Sequence, residues 1–252
     1  EISWTSIILG YIDYGQPQVA LNMFQKMQNS SILPRSYTLV TALKACAFLK
    51  DLEQGQKIHS QAMENGFEQD SFVGNSLISM YVKCGSIQHA QGVFNKLLVR
   101  DVISWTSLIS GYAEYGLNEE GLDFLDQMQL EGVVADSITF LSTLKACGSI
   151  GDSNRGRAIH IDIVKRGLDT DLLICNTLVD LYAKCGSLKK AHEVFNELHV
   201  RDVISWNAII TGFTRLGHWE EVMNYFEQMQ HEGLHPDHCT FFAILRVCGS
   251  IG

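Results

Sequence analysis

The stretch "ISWTS" begins at Ile2 and returns unchanged at Ile103, and its variant "ISWNA" begins at Ile204. Trp4, Trp105 and Trp206 therefore stand at a constant interval of 101 residues. Other landmarks obey the same shift. "LKAC" at Leu43 recurs at Leu144, with "LRVC" at Leu245; "KCGS" at Lys83 recurs at Lys184; "VRD" at Val99 recurs at Val200; His59 matches His160. A long internal period constrains the fold more than any composition figure. Each copy is built from small units that cannot bury an apolar face alone, so neighbouring units must bury it for one another.

The period subdivides into pairs of helical patterns joined at glycines. The frames are 1–35, 36–70 and 71–101, then 102–136, 137–171 and 172–202, then 203–237, with 238–252 cut short. In frame 203–237, Trp206, Ile209, Ile210 and Phe213 fall at i, i+3, i+4, i+7, one apolar helical stripe. Gly217 interrupts the pattern, which resumes with Val222, Tyr225, Phe226 and Met229. Gly233 and Pro236 then end the second helix. Helices of about 11–14 residues are marginal in isolation. The spacing predicts an all-α chain, a right-handed α-solenoid of stacked helix-turn-helix repeats.

Composition agrees and excludes little else. Of 252 residues, 46% are hydrophobic and only three are proline, so a core and long helical runs are both permitted. No apolar run approaches the roughly 20 residues of a membrane-spanning helix. The formal net charge of −9 argues against gripping nucleic acid by bulk charge, but leaves room for a local basic stripe. Seven cysteines without a C-x-x-C pair argue against a disulfide framework or a zinc ribbon and suit a reducing compartment. The chain starts at Glu1 in mid-pattern, so it is expected to be a piece of a longer protein whose targeting signal is not in view.

The first helix of each pair carries polar residues on a face of its own. Asn75, Ser79 and Lys83 stand at i, i+4, i+8, as do Asn176, Asp180 and Lys184. Thr106 with Ser110, and Asn207 with Thr211, occupy the same face in their frames. The fifth residue outside the 36–70 type of frame is thus Thr5, Asn75, Thr106, Asn176 and Asn207, each a small group with donor and acceptor. The last residue of each frame is Asp70, Asp101, Asp136, Asp171, Asp202 or Asp237, with Arg35 the exception. Such an aspartate has two compatible readings, an N-cap for the next helix or a ligand group.

These units resemble the pentatricopeptide repeat. "VISWTSLISGYAEYG", "TLKACGSIGDSNRGRAIH" and "TLVDLYAKCGSLKKAHEVF" are similar to the P, L and S units of its plant subclass, and the resemblance covers the whole chain. It implies a protein of mitochondria or chloroplasts that binds single-stranded RNA, one base per repeat. It further implies the recognition part of a C-to-U editing or RNA-processing factor, with any deaminase lying outside this chain or in a partner. Carried over residue by residue, Asn75 with Asp101 implies U, Thr106 with Asp136 implies G, and Asn176 with Asp202 and Asn207 with Asp237 imply U. The L frames hold Val40, Leu141 and Phe242 at the fifth place and are read as spacers, so the expected core is 5′-UGNUU-3′. Thr5 is followed by Arg35 and departs from the pattern. The second residues Phe72, Ile103, Leu173 and Ile204 are expected to pack against bases. Lys83, Lys184, Lys44, Lys145 and Arg246 are read either as phosphate contacts or as solvated helix faces. A helical scaffold for protein–protein interaction is the rival reading; the paired fifth and last residues discriminate, since a peptide groove has no need of them.

No catalysis, cofactor or metal is expected. His218-Trp219-Glu220 spells H-x-E, but the P-C-x-x-C half of a zinc deaminase signature is absent. His235, His238 and Cys239 straddle a joint and lack a fourth ligand at suitable spacing. Cys46, Cys147 and Cys248, the pair Cys84 and Cys185, and the pair His59 and His160 recur with the period, as packing residues do.

Overall fold

The computed structural model describes residues 2–251, and side chains for residues 4–247 and 249. All regular structure among the described residues is α-helical. Two compact units are present, Glu1–Ala135 and Asp136–Gly252. The first holds α1 (Ile2–Asp13), α2 (Pro17–Asn29), α3 (Ser36–Leu49), α4 (Leu52–Glu64), α5 (Ser71–Lys83), α6 (Ile87–Lys96), α7 (Val102–Glu114) and α8 (Asn118–Leu130). The second holds α9 (Ser137–Ile150), α10 (Ser153–Lys165), α11 (Leu172–Lys184), α12 (Leu188–Glu197), α13 (Val203–Arg215), α14 (Trp219–His231) and α15 (His238–Ile251).

Within each unit the helices stack as antiparallel pairs. In the first, α1, α3, α5 and α7 pack in succession, each also against its own partner; α2, α4 and α6 pack on the odd helix that follows. The second unit repeats this with α9, α11, α13 and α15. An inner odd helix therefore has neighbours on three sides, and this is why its sequence is apolar around most of its circumference. The architecture is an all-α solenoid of helix-turn-helix pairs.

The repeated tryptophans fill one slot. Trp105 and Trp206 are fully buried, edge-on to Phe94 and Phe195 with ring centroids 4.6 and 4.9 Å apart. Trp4 is half-buried. Leu77, Ile78 and Tyr81 are buried as their spacing predicts, as are Val222, Tyr225 and Met229. Phe226 in the same predicted stripe is half-buried and meets Phe241 edge-on.

Two helices are shorter than the sequence spacing predicts. α6 and α12 have 10 residues, because Leu97 and Leu198 turn extended. The early exit lets the "VRD" arginines fold back. Arg100 and Arg201 each lie 4.9 Å over a phenylalanine ring, Phe94 and Phe195, and donate from Nε to that residue's carbonyl. Their guanidinium ends pair with Glu131 and Glu232 at the ends of α8 and α14.

Candidate functional site

All six frame-ending aspartates cap the helix that follows. Asp101 and Asp202 accept the backbone N–H of Ser104 and Ser205 at 2.8 Å, Asp136 that of Thr139 at 2.8 Å, and Asp237 that of Thr240 at 3.0 Å. Asp70 and Asp171 accept from Val73 and Ile174 at 3.1 Å. Arg35 precedes α3 without a side-chain cap. At least one unpaired helix-end donor is satisfied in each case, and two at Asp70 and Asp171, a contribution of about 1 kcal/mol per cap.

Three of these carboxylates also hold an asparagine. Asn75 Nδ2 donates to Asp101 at 3.1 and 3.0 Å, Asn176 Nδ2 to Asp202 at 3.3 Å, and Asn207 Nδ2 to Asp237 at 3.0 Å to each oxygen. The pairing follows from topology: the fifth residue sits in the first helix of one pair, and the aspartate begins the first helix of the next. Burial pushes the Asp202 carboxyl up, but hydrogen bonds from Ser205 and Asn176 outweigh it and hold the group below its ordinary range. Asp237 is held low chiefly by the Thr240 amide, with Asn207 adding to it. Both aspartates are therefore ionised acceptors at neutral pH, and each orients the amide that leans on it. Thr5 is buried, its hydroxyl 2.9 Å from that of Thr38. Thr106, at the same place in α7, is also buried.

The second residues stand out of the apolar core. Phe72 is 76% exposed, and Ile103, Leu173 and Ile204 are more than half exposed. They lie one helical turn before the fifth residues, on the first turn of α5, α7, α11 and α13. Tyr37 on α3 and Ile138 on α9 occupy the same place and are equally exposed. Sequence reasoning passed over these two because their frames carry an apolar fifth residue; the frame register alone was the signal that would have found them.

The cations fall into two groups. Lys83 pairs with Glu114 at 3.1 Å, Lys184 with Asp180 at 2.6 Å, and Lys44 lies 3.7 Å from Asp13. Lys145 and Arg246 are exposed on α9 and α15, and Lys145 forms no ion pair among the described residues. The two-turn interval from asparagine to lysine thus puts Lys184 within reach of Asp180, the residue between them.

The remaining chemistry-bearing residues are engaged in structure. His59 and His160 place Nδ1 2.8 Å from the hydroxyls of Tyr81 and Tyr182, and burial lowers both imidazoles. Cys46 and Cys147 are fully buried, and burial pushes the Cys46 thiol up to about 12; the Cys248 side chain lies outside the described residues. His218 faces Glu221 at 3.4 Å rather than Glu220. Asp237, His238 and Cys239 bring three possible ligand atoms within 4.8 Å of one another, a set that includes Asp237 in place of His235. Its carboxylate is already committed to Asn207 and to the cap of α15.

Comparison with known proteins places this geometry. The PPR repeat family matches residues 100–149 and 201–250, and the PPR repeat pattern matches 2–32, 75–102 and 173–203. A pentatricopeptide repeat-containing protein of Arabidopsis thaliana is 37% identical over 252 residues, covering 100% of this chain and 35% of its own length. A chloroplastic one from the same plant is 36% identical over 249 residues, covering 99% of this chain and 40% of its own. The chain thus spans well under half the length of these relatives. Among solved structures, the pentatricopeptide repeat protein PPR10 in complex with an 18-nt psaJ RNA element aligns with a TM-score of 0.84 at 22% identity, over 96% of this chain and 36% of that one. PPR10 from maize aligns with a TM-score of 0.70 at 19% identity, over 99% of this chain and 37% of that one.

Proposed function

Since the chain belongs to the pentatricopeptide repeat family, we propose that it is the sequence-reading part of an organellar RNA-binding protein of the P-L-S subclass, serving C-to-U editing or RNA processing. The single observation that carries the reading is the asparagine–aspartate pairing in three frames. A carboxylate that fixes one edge of an amide presents the rest of it in a set direction, as recognition of a base edge requires. A protein scaffold has no use for such a pair at these joints.

In this reading Asn75, Asn176 and Asn207 take uracil, Thr106 with Asp136 takes guanine, and the frame containing Leu141 spaces the two halves of 5′-UGNUU-3′. The exposed Phe72, Ile103, Leu173 and Ile204, joined by Tyr37 and Ile138, offer apolar faces against which bases stack. Stacking contributes about 1–3 kcal/mol per base without regard to sequence. Lys145 and Arg246, then Lys44, Lys83 and Lys184 once released from their carboxylates, meet the phosphates. That local charge is how a chain of net charge −9 holds a polyanion. The relatives named chloroplastic and mitochondrial support an organellar setting. If the RNA is edited, the deaminase lies outside these residues or in a partner.

The test is a fluorescence-anisotropy titration with an RNA containing UGNUU, the same RNA with UANUU, and matched DNA. The expected order is UGNUU tightest. Equal binding to all three, or none, overturns base reading and leaves the protein scaffold as the better account.

A further inference from the structure

Thr240 is the third residue of the frame that follows Asn207, and it is fully buried. Its hydroxyl lies 2.6 Å from Asn207 Oδ1 and 3.1 Å from Asp237 Oδ1, the shorter contact being the one to the amide, and it accepts the Asp237 backbone N–H at 3.2 Å. An amide oxygen only accepts, so the threonine is the donor. Asn207 is therefore held at both ends, by Asp237 at nitrogen and by Thr240 at oxygen. The first frame is built alike: Thr38, third in the frame that follows, reaches Thr5.

The frames with Asn75 and Asn176 differ. The corresponding third residues are Ser104 and Ser205. Ser104 donates to the Asp101 carbonyl at 2.8 Å and Ser205 to Asp202 Oδ1 at 2.8 Å, so each hydroxyl is turned back onto its own cap. Oδ1 of Asn75 and of Asn176 is buried with no hydrogen-bond partner among the described residues.

We propose that a threonine at the third place of the following frame is a positioning residue for base reading, and that Thr240 restrains the amide of Asn207. The inference rests on the base-reading proposal above. Uracil offers an N3–H between two carbonyls, and cytosine offers an acceptor at that nitrogen, so the amide oxygen is the group that tells them apart. At Asn75 and Asn176, turning the amide toward the base relieves an acceptor whose burial is unfavourable. At Asn207 the same turn breaks the bond to Thr240. Asn207 therefore discriminates uracil from cytosine less sharply than the other two.

The experiment measures uracil-over-cytosine affinity ratios at each of the three registers, using UGAUU-containing RNA with one uracil replaced at a time. It compares the protein with its Thr240→Val and Ser205→Ala variants, with thermal unfolding followed by circular dichroism to keep each within its folded range. The expected ratio is lowest at the Asn207 register. Thr240→Val raises it about fivefold, the worth of one net hydrogen bond, and leaves the Asn75 register unchanged. Ser205→Ala leaves the Asn176 register unchanged, because that hydroxyl does not touch the amide. Thr240→Ala carries the same expectation as Thr240→Val with less bulk, should valine prevent folding. An unchanged ratio at Asn207 beside intact uracil preference at Asn75 overturns the positioning role. Absence of uracil preference at all three registers overturns the base reading itself.

Discussion

Gly111 of α7 and Val82 of α5 approach so closely that a Cβ on the glycine would stand 2.7 Å from Val82 Cγ2. Gly212, one period later, meets Ala183 of α11 with a similar lack of room. Gly92, in the interior of α6, has nothing within 4 Å of that position among the described residues. One residue type thus has opposite consequences. Gly111→Ala and Gly212→Ala are expected to destabilise by about 1–3 kcal/mol through overpacking. Gly92→Ala is expected to stabilise by about 0.5–1 kcal/mol, because a helix interior favours alanine where there is space. Urea unfolding of the three variants checks the pattern, and equal effects at all three would contradict it.

The two jobs of the frame-ending aspartate separate by mutation. Asparagine caps helices about as well as aspartate, so Asp101→Asn should change stability by only a few tenths of a kcal/mol. It replaces the carboxylate that orients Asn75, so uracil preference at that register should fall. Asp70 caps without holding an asparagine. Asp70→Ala should cost about 1 kcal/mol and leave every base preference intact. Paired unfolding and RNA-binding measurements on both variants decide this.

Arg100 should matter through its stacking and carbonyl contacts more than through its ion pair. Arg100→Ala is expected to cost about 1–2 kcal/mol, while Glu131→Gln, which removes only a half-exposed partner, should cost under about 1 kcal/mol. Equal losses in denaturant titrations would assign the role to the ion pair instead.

His59 and His160 give the fold a mild-acid sensitivity. Burial lowers both imidazoles from their ordinary value of 6.5. The folded state then binds fewer protons than the unfolded state, so this stability is full above about pH 6.5 and is lost as pH falls toward the lowered values. Neutral imidazole accepts the tyrosine hydroxyl at Nδ1; the protonated ring cannot. The melting temperature should fall between pH 7.5 and 5.5, and less so in the His59→Gln/His160→Gln variant. Parallel curves for the two proteins would refute the assignment.

Salt dependence ranks the cations. A lysine already paired within the protein releases little on meeting a phosphate, whereas Lys145 has no such partner among the described residues. Lys145→Ala should lower the slope of log affinity against log salt by about 0.7, and Lys184→Ala by less, since Asp180 neutralises it beforehand. Anisotropy titrations across a salt series give both slopes.

The helical pairs were legible in the sequence because they rest on periodicity. Trp105, Leu77 and Ile210 reveal their burial by spacing alone. What a linear pattern could not show was contact between residues 26 or 30 apart. Asp101 reads equally as cap and as ligand group; its distances show that it caps α7 through Ser104 and also holds Asn75. The "VRD" repeat was plain to see, but the fold of Arg100 over Phe94 depends on α6 ending early. Tyr37 and Ile138 escaped notice because their frames were judged by the fifth residue, and exposure at the second is independent of it.

Because one carboxylate both starts a helix and steers an amide, the alphabet open to this position is limited by folding. The residues that cap well are aspartate, asparagine, serine and threonine. Any change of base preference made here must be spelled with those four or lose helical stability, as the uncapped start of α3 at Arg35 illustrates. On the base-reading proposal, recognition is rewritten at the last residue only in this restricted vocabulary.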